Sequence, residues 1–175
     1  MNHAHTVGES CLRPQTFTRR PLLPPAPLPP EVRDFLARPN SAVLATLRPA
    51  GDPHTVPIWY DLELDGRIVM NMDIIRPRLR WLERDPRVSL SCMDPENFYR
   101  HVSLLGEIVE ITPDAERSVI DRLARRYTGR PYPRTTYERV SIWMRVDAWH
   151  GWDRRPDDRE TGPALPVFPW VAPSG

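Results

Sequence analysis

Alternating apolar and polar positions divide the middle of the chain into short segments that predict β-strands. Residues 42–47 are rich in apolar and β-branched side chains and stop at residues 49–52, which have a turn composition. Residues 54–60 alternate as a second strand, so the two segments predict a hairpin. Pro57 lies inside this second strand and cannot donate a ladder hydrogen bond, which predicts a sheet edge or a bulge at that point.

Later segments complete a mainly β pattern. The Asp65-Gly66 pair is a strong hairpin signal between the second strand and a third. Gly106 interrupts a long strand-like segment and predicts a bend there. The remaining strands are predicted at residues 68–72, 88–93, 99–111 and 137–149. The pattern therefore predicts six strands in all.

Residues 75–84 change to the helical period between two of these strands. Leu79 and Leu82 are spaced to face inward, and Pro77 suits the first helical turn. This segment predicts a short helix packed on the sheet.

A second helix is predicted from Thr112 to Gly129. Thr112 has the chemistry of a cap, Pro113 suits the first helical position, and Gly129 is a typical C-terminal stop. The predicted apolar face consists of Ala115, Val119, Leu123 and Tyr127.

Proline-rich composition marks both ends of the chain. Residues 1–30 predict a flexible, extended arm with little apolar surface to bury, and residues 154–175 predict a Pro-rich tail. Apolar side chains in that tail are expected to pack on the body, since they would otherwise be exposed. Residues 31–153 are then one domain, because 175 residues suit a single hydrophobic core.

Charge and cysteine content narrow the possible partners and the compartment. The net charge is +1, from 24 basic and 23 acidic residues, which argues against nucleic-acid and membrane surfaces because those partners need a basic excess. Cys11 and Cys92 cannot form a disulfide framework and lack metal-ligand spacing. No signal-peptide or membrane-spanning pattern is visible. We therefore expect a cytoplasmic protein without a metal, a nucleic-acid partner or a membrane partner.

Arg76, Arg78 and Arg80 form a local exception to this balanced charge. All 24 basic residues are arginine, yet three within five positions is more than this composition predicts. Their mutual repulsion is relieved if phosphate or carboxylate oxygens bind there, and the first turn of a helix also favours anions. A solvated helix face that happens to be rich in arginine is the alternative interpretation.

Catalytic side chains are harder to find. His54, His101 and His150 are scattered and are better explained as structural or surface residues than as catalysts. The chain has no paired nucleophile and base, no zinc spacing, no Walker loop and no Gly-x-Gly-x-x-Gly. If the protein is an enzyme, a bound organic cofactor must therefore carry the reaction, as flavins and deazaflavins do.

Four strings in this order carry a family resemblance across residues 31 to about 153. They are residues 43–51 (VLATLRPAG), 54–60 (HTVPIWY), 76–90 (RPRLRWLERDPRVSL) and 121–129 (DRLARRYTG). Together they resemble the split β-barrel flavin and deazaflavin oxidoreductases related to pyridoxamine 5′-phosphate oxidase, in particular the branch that uses coenzyme F420. The resemblance implies a six-stranded split β-barrel with a few flanking helices.

The same resemblance implies a set of cofactor-binding residues. The second strand would lie beside the cofactor ring, the end of the third strand would touch it, and the arginine cluster would hold the phosphate. These roles fall to Val56, Pro57, Ile58, Trp59, Asn71, Met72, Arg76, Arg78 and Arg80. The family commonly has lysine at Arg78, a small residue at Ile75 and asparagine at Trp81. Tyr99, His101 and Tyr127 are weaker candidates for the substrate side, with packing as the alternative.

The function implied by the resemblance is hydride transfer between C5 of coenzyme F420 and a small conjugated or electron-poor substrate. The family's sites lie between subunits, so a homodimer is implied. The deazaflavin is preferred to FMN because its oligoglutamate tail adds carboxylates that several arginines would suit. The alternatives are an FMN-dependent oxidase or reductase, a non-catalytic flavin or deazaflavin carrier, and an interaction protein that works through its Pro-rich arms. No catalytic residue is assigned.

Overall fold

A computed structural model describes residues 27–133 and 136–152, apart from the side chain of Trp152. Most of the predicted arm and all of the predicted tail at residues 154–175 lie outside this part of the chain. The elements in chain order are α1 (Pro30–Leu36), β1 (Ser41–Leu47), β2 (Pro53–Pro57), β3 (Tyr60–Leu62), β4 (Ile68–Asp73), α2 (Pro77–Arg84), β5 (Arg87–Met93), β6 (His101–Pro113), α3 (Ser118–Thr128) and β7 (Arg139–Trp152).

The strands form one antiparallel sheet in the order β2-β1-β5-β6-β7-β4-β3. β2 and β3 are the two outer strands of this sheet, yet only Ile58 and Trp59 separate them along the chain. A residue spans at most about 3.6 Å, so the step from Pro57 to Tyr60 brings the opposite edges within about 11 Å of each other. The sheet must therefore curl into a split β-barrel, which confirms the predicted fold class.

The structure has seven strands rather than six because the predicted strand at residues 54–60 divides in two. Pro57 pairs with Val43 at the end of β2, whereas Tyr60 pairs with Met70 in β4. Pro57 has no N–H to continue the ladder, and the N–H of Ile58 bonds the carbonyl of Ala42 instead. The prediction that Pro57 lies on an edge strand is confirmed.

The bend predicted at Gly106 is also confirmed. The register between β6 and β7 shifts between Leu105 and Gly106. A Cβ atom at Gly106 would lie 1.9 Å from the carbonyl oxygen of Arg145, so only glycine permits this close approach of the two backbones.

The predicted start of the second long helix is wrong. Thr112 and Pro113 belong to β6 and pair with β7, and α3 begins only at Ser118. The cap is supplied by Asp114, whose carboxylate accepts the N–H groups of Val119 (3.2 Å) and Ile120 (2.9 Å). The pattern of Thr, Pro and acidic residues thus marks a strand end followed by a cap.

The buried face of α3 agrees with its predicted face only in part, since Leu123 is buried and Tyr127 packs on the core as expected. The helix buries Ile120, Leu123 and Ala124, while Ala115 precedes it and is exposed. The predicted stop at Gly129 is confirmed, since this residue closes the helix in the left-handed region at φ 73°.

The short helices flank the barrel. α1, which the sequence analysis did not predict, buries Val32, Phe35 and Leu36. α2 begins at Pro77 and buries Leu82, with Leu79 half-buried against the core as predicted. None of the helices in residues 27–133 and 136–152 is long and apolar enough to cross a membrane.

Several weak acids lie inside the barrel. Burial raises the pKa of the Cys92 thiol from 9.0 to about 12 and that of the Tyr127 phenol from 10.0 to about 12. Burial also moves the pKa of Tyr60 well above its usual range. These groups stay neutral in the folded protein at pH values where they ionise in the unfolded chain.

We expect the free energy of unfolding to fall as the pH rises from about 9 towards 12. In that window the unfolded state binds fewer protons than the folded state, so Cys92 above about pH 9 and the two tyrosines above about pH 10 each lower stability by up to about 1.4 kcal/mol per pH unit. Urea unfolding at pH 8 to 11 should show a shallower fall for Cys92→Ala than for the wild type. Identical slopes would show that the thiol ionises freely in the fold.

Candidate cofactor-binding site

A cavity of about 410 Å³ opens where the two edges of the sheet meet. The link between β2 and β3, the end of β4, the start of α2, the buried face of α3 and the start of β7 surround it. Its volume is within the range of small-molecule sites. The fold therefore places a ligand-sized cavity at its point of closure.

Most of the cofactor-binding residues predicted from the sequence line this cavity. They are Pro57, Ile58, Trp59, Asn71, Met72, Arg76 and Arg78. Two of the predicted residues do not line it. Val56 packs against the core, and Arg80 is exposed on α2. Tyr127 lines the cavity, whereas Tyr99 and His101 do not.

Arg78 is the most unusual cation in the cavity wall. Its side chain is half-buried, and its Nε is buried without a hydrogen-bond partner among the described residues. Burial lowers the pKa of Arg78, and the positive charge of Arg76 lowers it further. Its guanidinium is therefore set to receive an anion, since a ligand phosphate or carboxylate would satisfy both its charge and its free N–H.

Arg76 and Arg139 share one carboxylate beside Arg78. Asp73 accepts a salt bridge from Arg76 on Oδ2 at 3.2 Å and one from Arg139 on Oδ1. One negative charge thus orients two guanidiniums at the end of β4. The cavity wall keeps a positive excess because Arg78 has no salt-bridge partner in the described part of the chain.

Asn71 lies at the centre of a buried polar network. Its Nδ2 donates to Asp114 Oδ2 at 2.9 Å and to Ser141 Oγ at 3.0 Å. Its Oδ1 accepts from Arg139 Nε at 2.5 Å. Both ends of the amide are therefore engaged, so Asn71 orients Arg139 and supports the cavity wall.

Aromatic rings form the facing wall. Trp59 stacks on Tyr127 with centroids 5.5 Å apart, and Tyr132 meets Trp59 edge-on at 6.1 Å. The guanidinium of Arg139 lies 4.6 Å from the centre of the Tyr132 ring. The Tyr127 hydroxyl donates to the carbonyl of Asn40 at 3.0 Å, so its ring is fixed in place.

The side-chain oxygens of Asp73 and Asn71 in this cavity are already engaged, whereas two of its N–H donors are free. Both oxygens of Asp73 and the amide oxygen of Asn71 already accept from arginines. Arg78 Nε and the indole N–H of Trp59 donate to none of the described residues. A planar ligand that carries carbonyl oxygens and an anionic group matches this arrangement. Within residues 27–133 and 136–152, no group of three or more metal-ligating side chains occurs.

Sequence reasoning missed Asp73, Asp114, Tyr132 and Arg139. Each acts through a partner far away along the chain, as when Arg139 bonds Asn71 across 68 positions. No local period marks such a residue. The one available signal is that Arg139 and Asp73 are charged residues at the ends of apolar strands.

The fold and the cavity define a class, a split β-barrel protein with a ligand-sized, arginine-lined cavity at its closure. The sequence pattern of the family described as pyridoxamine 5′-phosphate oxidase matches residues 28–153. The chain therefore belongs to the pyridoxamine 5′-phosphate oxidase family, which confirms the resemblance found in the sequence.

Solved structures with the same fold support this assignment. An F420 reductase is 28% identical with a TM-score of 0.62, over 67% of this chain and 94% of that one. A conserved hypothetical protein from Mycobacterium tuberculosis is also 28% identical with a TM-score of 0.59, over 90% of this chain and 98% of that one. A putative pyridoxamine 5′-phosphate oxidase from Listeria innocua, 13% identical with a TM-score of 0.50 over 69% and 94% of the two chains, shows the fold alone. Among curated proteins, none matches the chain.

We expect Asn71→Ala to lower the free energy of unfolding by about 2 to 4 kcal/mol, because the buried Asp114 and Arg139 each lose one of their hydrogen-bond partners. Ser141→Ala is the matched control. It removes one neutral hydrogen bond from the same amide and should cost about 1 kcal/mol. Urea unfolding measures both. Equal, small losses would show that Asn71 does not hold the network together.

Proposed function

We propose that this protein is an oxidoreductase that uses coenzyme F420 to transfer a hydride to or from a small conjugated or electron-poor organic substrate. The observation that carries the proposal is the half-buried guanidinium of Arg78, which has no salt-bridge partner among the described residues and borders a cavity of about 410 Å³. A ligand with ring carbonyls and an anionic tail satisfies both features.

The residues of the cavity fit such a cofactor in two groups. Arg76 and Arg78, with Arg80 next to them on α2, would hold the anionic tail near the first turn of the helix. Pro57, Ile58 and Trp59 on one side, with Met72 on the other, would contact the ring. When bound, the deazaflavin supplies hydride transfer at its C5.

The chain's own contribution is then position and electrostatics rather than proton transfer. The carboxylates of Asp73 and Asp114 are engaged by arginine and by amide donors. The pKa of Tyr127 is raised to about 12 by burial, so its phenol stays protonated at neutral pH. We therefore assign no catalytic acid or base. The arginines and aromatic rings instead position and orient the reactants.

Two observations favour the deazaflavin over FMN. The F420 reductase reaches 28% identity over 67% of this chain. Arg78 and Arg76 lie at the cavity with exposed Arg80 beyond them, and this row suits a long polyanionic tail better than one phosphate. Parallel titrations of the purified protein with coenzyme F420 and with FMN test the choice. Tight binding of FMN alone would overturn it.

We expect Arg78→Ala to weaken coenzyme F420 binding by about 10- to 150-fold, the loss of about 1.5 to 3 kcal/mol for a charge-assisted contact. Arg84→Ala is the matched control, since Arg84 lies in the last turn of the same helix and does not line the cavity. Calorimetric titration of both variants provides the measurement. If both bind like the wild type, the arginine cluster is a solvated surface.

We also propose that the protein is a homodimer whose cofactor site lies at the subunit interface. The support is apolar surface on the long strand β6, where Leu105 is 51% and Val109 is 43% exposed. A second copy packed on this face would remove these side chains from water.

We expect Leu105→Arg to convert the protein from a dimer into a monomer of 20.3 kDa and to weaken cofactor binding in parallel. Leu64→Arg is the control, because Leu64 is 98% exposed in the turn between β3 and β4. Light scattering over a dilution series gives the mass. A wild-type monomer that binds the coenzyme tightly would count against the proposal.

A further inference from the structure

Arg139 occupies a special position in the cavity wall. It is only 8% exposed, yet it lines the cofactor cavity and a second cavity of about 440 Å³ beside it. A buried guanidinium between two cavities is costly unless its N–H groups are satisfied. Asn71 accepts from its Nε, and Asp73 accepts from its Nη1. Its Nη2 bonds none of the described residues.

These two contacts fix the direction of the free end of Arg139. The guanidinium is planar, so engaging Nε and Nη1 also sets the orientation of Nη2. The ring of Tyr132 lies 4.6 Å from the guanidinium carbon and prevents it from tilting. Arg139 is therefore a pre-oriented donor, unlike the exposed and mobile arginines that pair at protein surfaces.

The charge balance leaves room for a second anion. Asp73 is shared between Arg76 and Arg139, and Asp114 is engaged by two backbone N–H groups and Asn71. Among the residues that line the cavity, Arg76 and Arg139 carry two positive charges and Asp73 carries one negative charge, even before Arg78 is counted. An anion bound at Arg78 would still leave Arg139 able to bind a second anion.

The shape of the cavity wall indicates which kind of molecule carries the second anionic group. Tyr132 meets Trp59 edge-on, and Trp59 stacks on Tyr127, so a run of aromatic surface ends at Arg139. Flat, apolar walls favour a planar molecule, and a fixed guanidinium at their end favours a carboxylate.

We propose that Arg139 binds the carboxylate of a planar conjugated acid that lies against Trp59 and Tyr132. This names the substrate class as conjugated carboxylic acids, a step that rests on the proposed function. The binding itself does not depend on any redox cofactor.

The test uses the full chain, without added cofactor, and three probes. Cinnamate carries the planar conjugated carboxylate, cinnamamide is its neutral isostere, and pyrophosphate represents the cofactor's anionic tail. Calorimetry should show at least tenfold tighter binding of cinnamate than of cinnamamide. Arg139→Gln should remove that preference and leave the affinity for cinnamamide within about threefold. Arg78→Ala should instead weaken pyrophosphate and leave the cinnamate preference intact.

A second comparison keeps the test decisive if Arg139→Gln does not fold. Arg139→Lys keeps the charge but loses the planar fork, so it should bind cinnamate less tightly than the wild type and more tightly than cinnamamide. The Arg78→Ala variant keeps Arg139, so it tests the preference for cinnamate even if the Arg139 variants do not fold. If the preference for cinnamate disappears in Arg78→Ala, or is absent from the wild type, the proposal is overturned.

The outcome separates this inference from the proposed function. Failure of coenzyme F420 to bind, with cinnamate affinity still dependent on Arg139, would remove the proposed function and leave the carboxylate site standing. Tight binding of the coenzyme, with a cinnamate affinity that does not depend on Arg139, would remove the carboxylate site and leave the proposed function standing.

Discussion

The short link between Pro57 and Tyr60 is the constraint on which the rest of this structure depends. It joins the two outer strands of a seven-stranded sheet, so the sheet must curl until those edges lie close together. The cavity lies at that meeting point, and the residues of the link form part of its wall. Closure of the barrel and formation of the site are therefore one event.

The polar network beneath the cavity follows from the same closure. β4 and β7 pair side by side, which brings Asn71 and Asp73 next to Ser141 and Arg139. In water these groups would gain little by meeting, but in the interior each would be costly without its partners. The network also reaches α3 through Asp114, so the helix start, the sheet and the cavity arginines are joined by one set of hydrogen bonds.

Local chemistry explains which parts of the structure the sequence could predict. The alternation in residues 42–47 and 88–93, the helical period ending at Arg84 and the stop at Gly129 depend on neighbours along the chain, and they were predicted correctly. The arginine cluster was visible for the same reason. The division of residues 54–60 between opposite edges depends on partners in β1 and β4, which no local pattern shows.

The errors have equally specific causes. Thr112 and Pro113 have the chemistry of a helix start, but pairing with β7 outweighed that preference and moved the cap to Asp114. Arg139 and Tyr132 belong to the cavity only because the barrel closes, so composition and spacing gave no reason to choose them. Tertiary contacts thus decide the details of the site, while local preferences decide its supporting strands.

The prolines of β2 have a consequence for how copies of this protein meet. An open sheet edge normally presents backbone donors that can template a strand from another molecule, the first step of runaway aggregation. β2 has five residues, and proline at both its first and last positions leaves the edge with neither of those donors. The two prolines therefore make this edge of the sheet a poor template, so contacts between molecules are directed towards side-chain packing and away from strand addition.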